Sequence, residues 1–514
     1  MWSELSTMSS KREYGDYQTP LAFAAKVCDY LKNERNLAPS AIIEPTCGIG
    51  NFVKSSLIFD AKEILGIEIN PEYCQRCTEQ IDDSRVRIIN ANFFSFDSKA
   101  LIQDDSQILI IGNPPWVNNS TLSVLDSDNL PAKKNFKGLK GIEAITGSSN
   151  FDICEHFIMQ LVDEYAGHNV TIAMLCKTSV ARNVFIEMSR KGTPFSTCDM
   201  LEFDAQKVFG INASACLLLI QLSSQGASTE TCRVYSLDNT SELRSSFGYR
   251  NGQLYSDVES QTDNFNGKSC FEWRQGVKHD CSKVMELMIA NGHFYNGNNE
   301  RVDIENDMVF PLVKSSMFKT PIIHGFSKYV IVTQKKARDE TAYLQTVAPK
   351  TWDYLMSNMA SFQKRKSSIY RGAPPFSMFG VGDYSYSRYK VGVSGFYKQP
   401  LFSVLFSENG KPVMTDDTGY FICFESYTSA YVAMILLNSK RVQRFLLSIA
   451  FLDAKRPFTK KMLERIDFSK IIAAISFAEL VETEKGLGLN NYVTESMFAE
   501  FCNLPAFLQT TMPI

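Results

Sequence analysis

The sequence predicts an open α/β sheet of Rossmann type followed by an α+β domain, on three observations. Short β-rich runs alternate with helical patterns through the first 225 of 514 residues. A glycine turn, Gly48-Ile49-Gly50, follows an apolar run and precedes a helical pattern. Beyond residue 225 the alternation gives way to short β-like runs, aromatic residues and basic clusters. A chain of this length exceeds one ordinary core, which implies two domains and room for a helical extension.

Apolar runs place strands at Ala41–Glu44, Glu63–Glu68, Val86–Asn90, Gln107–Ile111, Asn169–Cys176 and Ala215–Gln221. Helical patterns intervene at Pro20–Lys32, Asn51–Phe59, Pro71–Gln80 and Asp152–Tyr165. Leu122–Ser149 is polar and rich in Gly and Lys, the texture of a loop. A Ser/Gly/Thr-rich stretch, Ser223–Thr231, ends the first domain, which is expected over residues 1–225. The second is expected over 226–470. From Ile471 the chain turns acidic and helical, giving an extension over 471–514.

With 44% hydrophobic and 21% charged residues the composition is that of a soluble globular protein. The net charge of -3 conceals an asymmetry. Residues 311–470 hold 24 Lys and Arg against 11 Asp and Glu, a net of +13, which leaves -16 for the remainder. One basic half points to a polyanionic partner for that half. Met1–Arg12 is polar, without the apolar stretch of a signal peptide. No apolar run reaches the roughly 18 residues of a membrane span, so a cytoplasmic protein with no membrane partner is expected. The 13 cysteines are scattered, many in apolar segments, as with Cys176, Cys216 and Cys423. Free thiols in a reducing compartment are expected. Cys74 and Cys77 form one CxxC with no second pair at zinc spacing, so no metal is expected.

Two strand ends carry the chemistry. Glu44-Pro45-Thr46-Cys47-Gly48-Ile49-Gly50 runs from a buried strand into the glycine turn, where a backbone can approach a ligand closely. The third glycine of a dinucleotide fingerprint falls on Val53, which disfavours NAD. Glu68 ends the next strand, about 20 residues on, where a carboxylate accepts ribose hydroxyls. The third strand ends in Asn90-Ala91-Asn92-Phe93-Phe94, polar groups beside aromatics that suit an adenine ring. The fourth runs into Gly112-Asn113-Pro114-Pro115-Trp116. A stiffened turn accounts for the prolines, but not for an Asn and a Trp held on either side of them.

Asn113-Pro114-Pro115-Trp116 resembles the catalytic motif of amino-methyltransferases acting on planar nitrogens, and Glu44–Gly50 their cofactor motif. Asp16-Tyr17-Gln18-Thr19-Pro20 resembles the segment preceding that motif in the gamma-order adenine-N6 DNA methyltransferases of restriction–modification systems. The resemblance covers residues 14–225 and, more loosely, 270–470. It implies a methyltransferase sheet with a C-terminal target-recognition domain, and S-adenosyl-L-methionine as cofactor. Thr19, Pro20, Glu44, Pro45, Cys47, Gly48, Gly50, Glu68, Asn92, Phe93 and Asn113 would hold it. Many relatives carry Asp at the position of Asn92; an amide can still bond the adenine edge. Asn113, Pro114, Pro115 and Trp116 would be catalytic, and Phe209 would join Trp116 in stacking a flipped adenine. Phe151-Asp152 resembles a further pocket-lining segment, with an N-capping Asp as the equal alternative. Leu175-Cys176-Lys177 occupies a family-like place without an assigned role.

In the second half, Trp273–His279, Phe310–Ser316, Leu437–Ser439 and Asp453–Pro457 resemble target-recognition segments. Lys335, Lys336, Arg338, Lys364, Arg365, Lys366, Lys455 and Arg456 would meet phosphates of double-stranded DNA. The resemblance further implies a monomer acting in a prokaryotic cytoplasm or a phage-infected cell, with any cognate restriction endonuclease a separate chain. Cytosine-N4, RNA or glutamine-amide methylation, and a non-catalytic DNA-binding subunit with a vestigial pocket, remain alternatives.

Overall fold

The computed structural model describes residues 18–96, 107–116, 152–223, 229–250, 252–258, 264–407 and 409–511. Asp16, Tyr17, Phe151 and the loop Leu122–Ser149 lie outside them. The chain forms two compact units, Met1–Glu259 and Ser260–Ile514.

Unit 1 is built on one sheet. Its strands are β1 (Ala41–Glu44), β2 (Glu63–Glu68), β3 (Val86–Asn90), β4 (Ile108–Gly112), β5 (Val170–Lys177), β6 (Phe195–Asp204), β7 (Ser214–Leu222), β8 (Thr231–Ser236), β9 (Ser245–Arg250) and β10 (Gln253–Tyr255). They lie side by side in the order β3-β2-β1-β4-β5-β7-β6-β8-β9-β10. β1 to β5 run parallel, while β7 is antiparallel to both β5 and β6. Every residue of β1 and β4 is buried, as expected of parallel strands covered on both faces. The winding reverses between β1 and β4, the place where a Rossmann-like sheet opens a ligand crevice.

The helices of this unit are α1 (Leu21–Asp29), α2 (Asn51–Ser55), α3 (Pro71–Gln80), α4 (Ile153–Glu164), α5 (Thr178–Lys191) and α6 (Ala205–Phe209). Local chemistry sets their starts. Asn70 accepts from the Glu72 N–H and Pro71 opens α3, while Asp152 accepts from the Cys154 N–H at the head of α4. The helix expected over Pro20–Lys32 stops being α-helical at Asp29 and continues as a π turn over Tyr30–Glu34.

The boundary expected at 225 falls between β7 and β8, inside the sheet. β8 pairs in parallel with β6, so the sheet runs on to Tyr255. β6 itself, absent from the expected strands, is interrupted by polar residues because Asp199 within it is wholly buried. That carboxylate accepts from Arg35 at 2.5 Å and from Arg233 at 2.7 and 3.0 Å. It thereby ties the segment after α1 to β6 and β8.

Among the described residues, unit 2 holds two sheets. One contains β11 (Arg274–Gln275), β16 (Ile322–Ile323), β18 (Tyr389–Ser394), β19 (Ser403–Phe406) and β21 (Gly419–Phe424). The other contains β12 (Glu286–Ala290), β13 (His293–Asn296), β14 (Arg301–Val302), β15 (Val309–Val313), β17 (Lys328–Ile331) and β20 (Met414–Thr415), in the order β14-β13-β12-β17-β15-β20. The helices after residue 471 do not stand apart: Phe477–Gly486 and Glu495–Thr511 pack on α7 (Tyr427–Asn438), and Tyr431 bonds the buried Glu484 at 2.7 Å.

Among the described residues no helix is long and apolar enough to cross a membrane, and no His, Cys, Asp and Glu gather in a metal-holding group. All 13 cysteines are free thiols.

Asp199→Asn is expected to strand two part-buried guanidinium groups. The cost should be about 2–3 kcal/mol, below that of a fully buried pair because both arginines retain contact with water. Chemical unfolding of the variant checks this, and an unchanged midpoint would remove Asp199 as the tie between these elements.

Candidate active site

The carboxyl ends of β1, β2 and β4 bring three loops to one crevice. A cavity of about 710 Å³ opens there, within the range of small-molecule sites. Of the residues expected at the cofactor, Thr19, Glu44, Pro45, Cys47, Gly48, Glu68 and Asn113 line it, as does Pro115. Gln18, Thr46 and Asn51 line it too and were not singled out beforehand. Their signal lay in position alone: Gln18 directly precedes Thr19, and the other two flank the glycine turn.

The turn is held from three sides. The Gly48 N–H donates to Glu68 Oε2 at 2.8 Å, and the Asn70 N–H donates to Glu68 Oε1 at 2.8 Å. The Ile49 N–H donates to Gln18 Oε1 at 3.2 Å, and the Asn51 amide donates to the Thr19 carbonyl at 2.7 Å. Both glycines take positive φ, +53° at Gly48 and +83° at Gly50. A Cβ on Gly48 would lie 2.5 Å from Gln18 Oε1, and one on Gly50 would lie 2.2 Å from the Cys77 sulfur. Cys77 is therefore the floor beneath the turn.

Glu68 thus shapes the turn as well as facing the cavity. A carboxylate offers about four acceptor sites, so bracing two backbone N–H groups is compatible with accepting ribose hydroxyls as well. With the open glycine backbone and the Thr46 and Asn51 side chains, this polar lining fits an adenosyl group carrying an amino acid.

Asn92 and Phe93 are not in the lining. The Asn92 side chain accepts from the Phe94 N–H at 3.0 Å, capping the short turn Phe93–Ser95. Phe93 is buried against Phe157 with ring centroids 4.4 Å apart. Pro20 caps the start of α1 and Gly50 leads into α2, both just outside the cavity.

At the end of β4, the Thr46 hydroxyl donates to the Asn113 carbonyl at 3.5 Å. Pro114 is buried and is not among the lining residues. The Trp116 indole N–H donates to the Leu175 carbonyl at 3.2 Å, which fixes the ring plane. Phe209 meets Trp116 edge-on, with centroids 5.5 Å apart and planes at 71°. The two rings expected to act together are therefore brought together, in contact with each other. Asp152 caps α4 and pairs with Lys177 at 2.7 Å, so Lys177 is placed beside the same strand ends.

The basic residues of unit 2 divide. Lys335, Lys336, Arg338, Lys364, Lys366 and Lys455 are exposed, with Lys336 3.2 Å from Asp383. Arg365 and Arg456 are used internally. Arg365 lies over the Tyr370 ring at 3.7 Å and donates to the Ser377 carbonyl at 2.6 Å. Arg456 donates to the Asp417 carbonyl at 2.9 Å and carboxylate at 3.2 Å, over the Phe396 ring. A planar guanidinium stacks and forks where a lysine cannot, which is why these two are absorbed into the fold while their lysine neighbours are not.

One carboxyl of the cavity is electrostatically frustrated. Burial pushes Glu44 well above the ordinary carboxyl value of 4.5, nearby Cys77 and Glu68 add to this, and only the Val53 N–H, at 2.8 Å, opposes it. The folded state holds this proton more tightly than the unfolded state. Stability associated with Glu44 is therefore complete below pH 4.5 and declines as pH rises from there toward the raised folded value. Glu44→Gln keeps an acceptor for Val53 without a charge. The cofactor-free variant should melt above the parent at pH 8 and close to it at pH 4.5, each kcal/mol appearing as about 2–4 °C. A pH-independent difference in melting temperature would exclude Glu44 as the titrating group.

No protein-family model matches the chain. A type II methyltransferase from a Nostoc species, M.NspV, is 39% identical over 475 residues, spanning 91% of this chain and 98% of that protein. A second, M.CvrRI from a Paramecium bursaria Chlorella virus, is 26% identical over 148 residues, 29% of this chain and 32% of its own length. Among solved structures, the type IIL restriction–modification enzyme MmeI in complex with DNA superposes with a TM-score of 0.53 at 12% identity. That match covers 97% of this chain and 80% of the other, a likeness of fold. The chain belongs to the type II restriction–modification methyltransferases and uses S-adenosyl-L-methionine as its cofactor.

Proposed function

We propose that the chain methylates N6 of an adenine flipped out of duplex DNA at a specific sequence, as the modification enzyme of a restriction–modification system. The observation carrying this reading is the position of Asn113-Pro114-Pro115-Trp116 at the end of β4, with Asn113 and Pro115 lining the same cavity as Gly48 and Glu68. M.NspV, similar over nearly its whole length, is named a methyltransferase, and the MmeI structure is a complex with DNA.

The cofactor supplies an electrophilic methyl group on a sulfonium centre. The residues address the other reactant, an exocyclic amine whose lone pair is delocalised into its ring. The Asn113 side-chain oxygen and the Pro114 carbonyl accept its two N–H bonds and draw the nitrogen toward tetrahedral geometry. Its lone pair is then available for in-line attack. Proline lacks an N–H at the next position, so no donor at Pro115 competes with these acceptors. Preorganised acceptors of this kind are worth about 10²–10³ in rate each, and holding amine and methyl in contact supplies further acceleration. The products are N6-methyladenine, S-adenosylhomocysteine and a proton.

A stacked adenine cannot reach the crevice, and extruding it costs a few kcal/mol. Aromatic stacking returns about 1–3 kcal/mol per base. Because Trp116 and Phe209 touch, and the Trp116 indole is tied to Leu175, admission of a ring between them requires Phe209 to turn while Trp116 holds its plane. Exposed Lys364 and Lys366 are suited to phosphates.

Modification-sensitive long-read sequencing of DNA from a methylation-free host expressing the chain tests the reading. N6-methyladenine at one recurring motif is expected, and N4-methylcytosine there would replace adenine by cytosine as substrate. Asn113→Ala should lower methylation at least about 10²-fold while DNA affinity and melting temperature stay close to the parent's; a lowered melting temperature with lost DNA binding would instead mark Asn113 as structural. Lys364→Glu with Lys366→Glu should weaken DNA binding and lower the salt slope by about 2. An unchanged slope would remove both from the interface.

A further inference from the structure

Unit 2 carries a feature that the cofactor site does not use. β12 and β13 are joined by a two-residue turn, Asn291-Gly292, with both residues at positive φ, +50° and +74°. That backbone twist matches a tight hairpin. β12 pairs with β17 only as far as Met288, opposite Lys328, and β13 pairs with β14 from Phe294 inward. Residues 289–293 therefore project past both neighbouring strands as a bare two-stranded ribbon, and all five are exposed.

The chemistry of the ribbon is unusual for a surface hairpin. Met288 and Ile289 are 43% and 47% exposed, two large apolar side chains on opposite faces of a ribbon whose edges a charge would ordinarily guard. The other face of the sheet is accounted for: Leu287 and Val302 are in the core, with Phe294 and Tyr329 packed against it. Between Glu286 and Glu300 the sequence has no acidic residue. Both flanking carboxylates are engaged, Glu286 by Lys314 at 2.7 and 2.8 Å and more distantly by Lys328 at 3.7 Å, and Glu300 by the buried Asn296 amide at 2.7 Å. Register puts Arg301, Tyr295, Met288 and Lys328 in one row across the outer face, so a cation stands on each side of the ribbon.

We propose that this ribbon enters the major groove of duplex DNA tip first, with Ile289 and the Asn291-Gly292 turn toward base edges, Met288 against the groove wall, and Arg301 and Lys328 on the flanking phosphates. The groove is about 12 Å wide and 8.5 Å deep and admits a two-stranded ribbon, and apolar side chains there read the thymine methyl. The three residues from Met288 to the turn span about 10 Å, enough to reach the groove floor. A tip without Lys, Arg, Asp or Glu, flanked by the exposed Arg301 and by Lys328, itself 3.7 Å from Glu286, suits a channel walled by phosphates. The inference rests on the proposed DNA substrate.

The test uses the full-length protein with S-adenosylhomocysteine and a duplex carrying the motif found by sequencing. Met288→Ser with Ile289→Ser should weaken binding of that duplex by about tenfold, the scale of one lost base contact. Binding of an unrelated duplex should change less than about threefold, so that the specificity ratio falls. Cofactor affinity and melting temperature serve as folding controls. Irradiation of the parent protein on 5-bromouracil-substituted duplex should cross-link residues 288–293. Unchanged affinity and specificity without a cross-link, in a protein that methylates the site, would overturn the ribbon and leave the substrate standing. Failure of the parent protein to bind any duplex would overturn both. Unchanged DNA binding with lost binding of a purified companion endonuclease would assign the ribbon to a protein partner instead.

Discussion

The reversal of winding between β1 and β4 is the constraint on which the active unit depends. Parallel strands place all their carboxyl ends on one edge, and only at a reversal do the connecting helices diverge to leave a crevice. β1 and β4 are buried along their whole length, so neither strand can contribute a reacting group from its middle. The chemistry is confined to the loops that follow them. Glu44, Gly48, Glu68 and Asn113 are far apart in sequence and meet because they each end, or directly follow, one of three adjacent parallel strands.

Given that crevice, its loops have to be rigid without filling it. The glycine turn meets this need through backbone donors: Glu68 and Gln18 grip successive N–H groups, and the missing Cβ atoms leave space that Gln18 and Cys77 occupy. The same economy appears at Glu44, a carboxyl buried far enough to resist ionisation and retained beneath the turn by the Val53 N–H. A cationic sulfonium nearby would favour the ionised form of Glu44, opposing the effect of burial. Across the sheet, Asp199 serves the opposite end: two arginines surround it, and their charge is what permits a carboxylate in the middle of β6.

In unit 2 the division of labour follows side-chain chemistry. Arg365 and Arg456 stack on rings and fork onto carbonyls, holding loops in place. Their neighbours Lys364, Lys366 and Lys455, compact and strongly hydrated, stay in water, and the proposed phosphate contacts rest on exposed side chains of this kind. The β12–β13 ribbon stands outside this pattern, a projecting tip without Lys, Arg, Asp or Glu between Arg301 and Lys328. Basic density alone therefore would not have located it.

Much of unit 1 was legible in the amino-acid sequence. β1, β2 and β3 fall where the apolar runs placed them, and β4, β5 and β7 fall within a residue; for all but the partly exposed β3 the reason is that buried strands need continuous apolar side chains, and Glu44, Glu68 and Asn113 mark where β1, β2 and β4 end. The residues of the crevice were legible for the same reason, since glycine and proline report backbone geometry directly. Burial of charge was not. β6 was hidden by Asp199, whose burial only the distant Arg35 and Arg233 make tolerable. β8 was cut off by a polar stretch before it, although its parallel partner lies within the same sheet. Asn92 and Phe93 were drawn from the cavity by local contacts, a cap and a ring stack, that strand spacing does not record. The order of residues along the chain set which strands form and what stands at their ends. Which charges are paired, which arginines are spent on packing and which hairpin projects depend on partners far away in the chain, and only the tertiary structure brings those partners together.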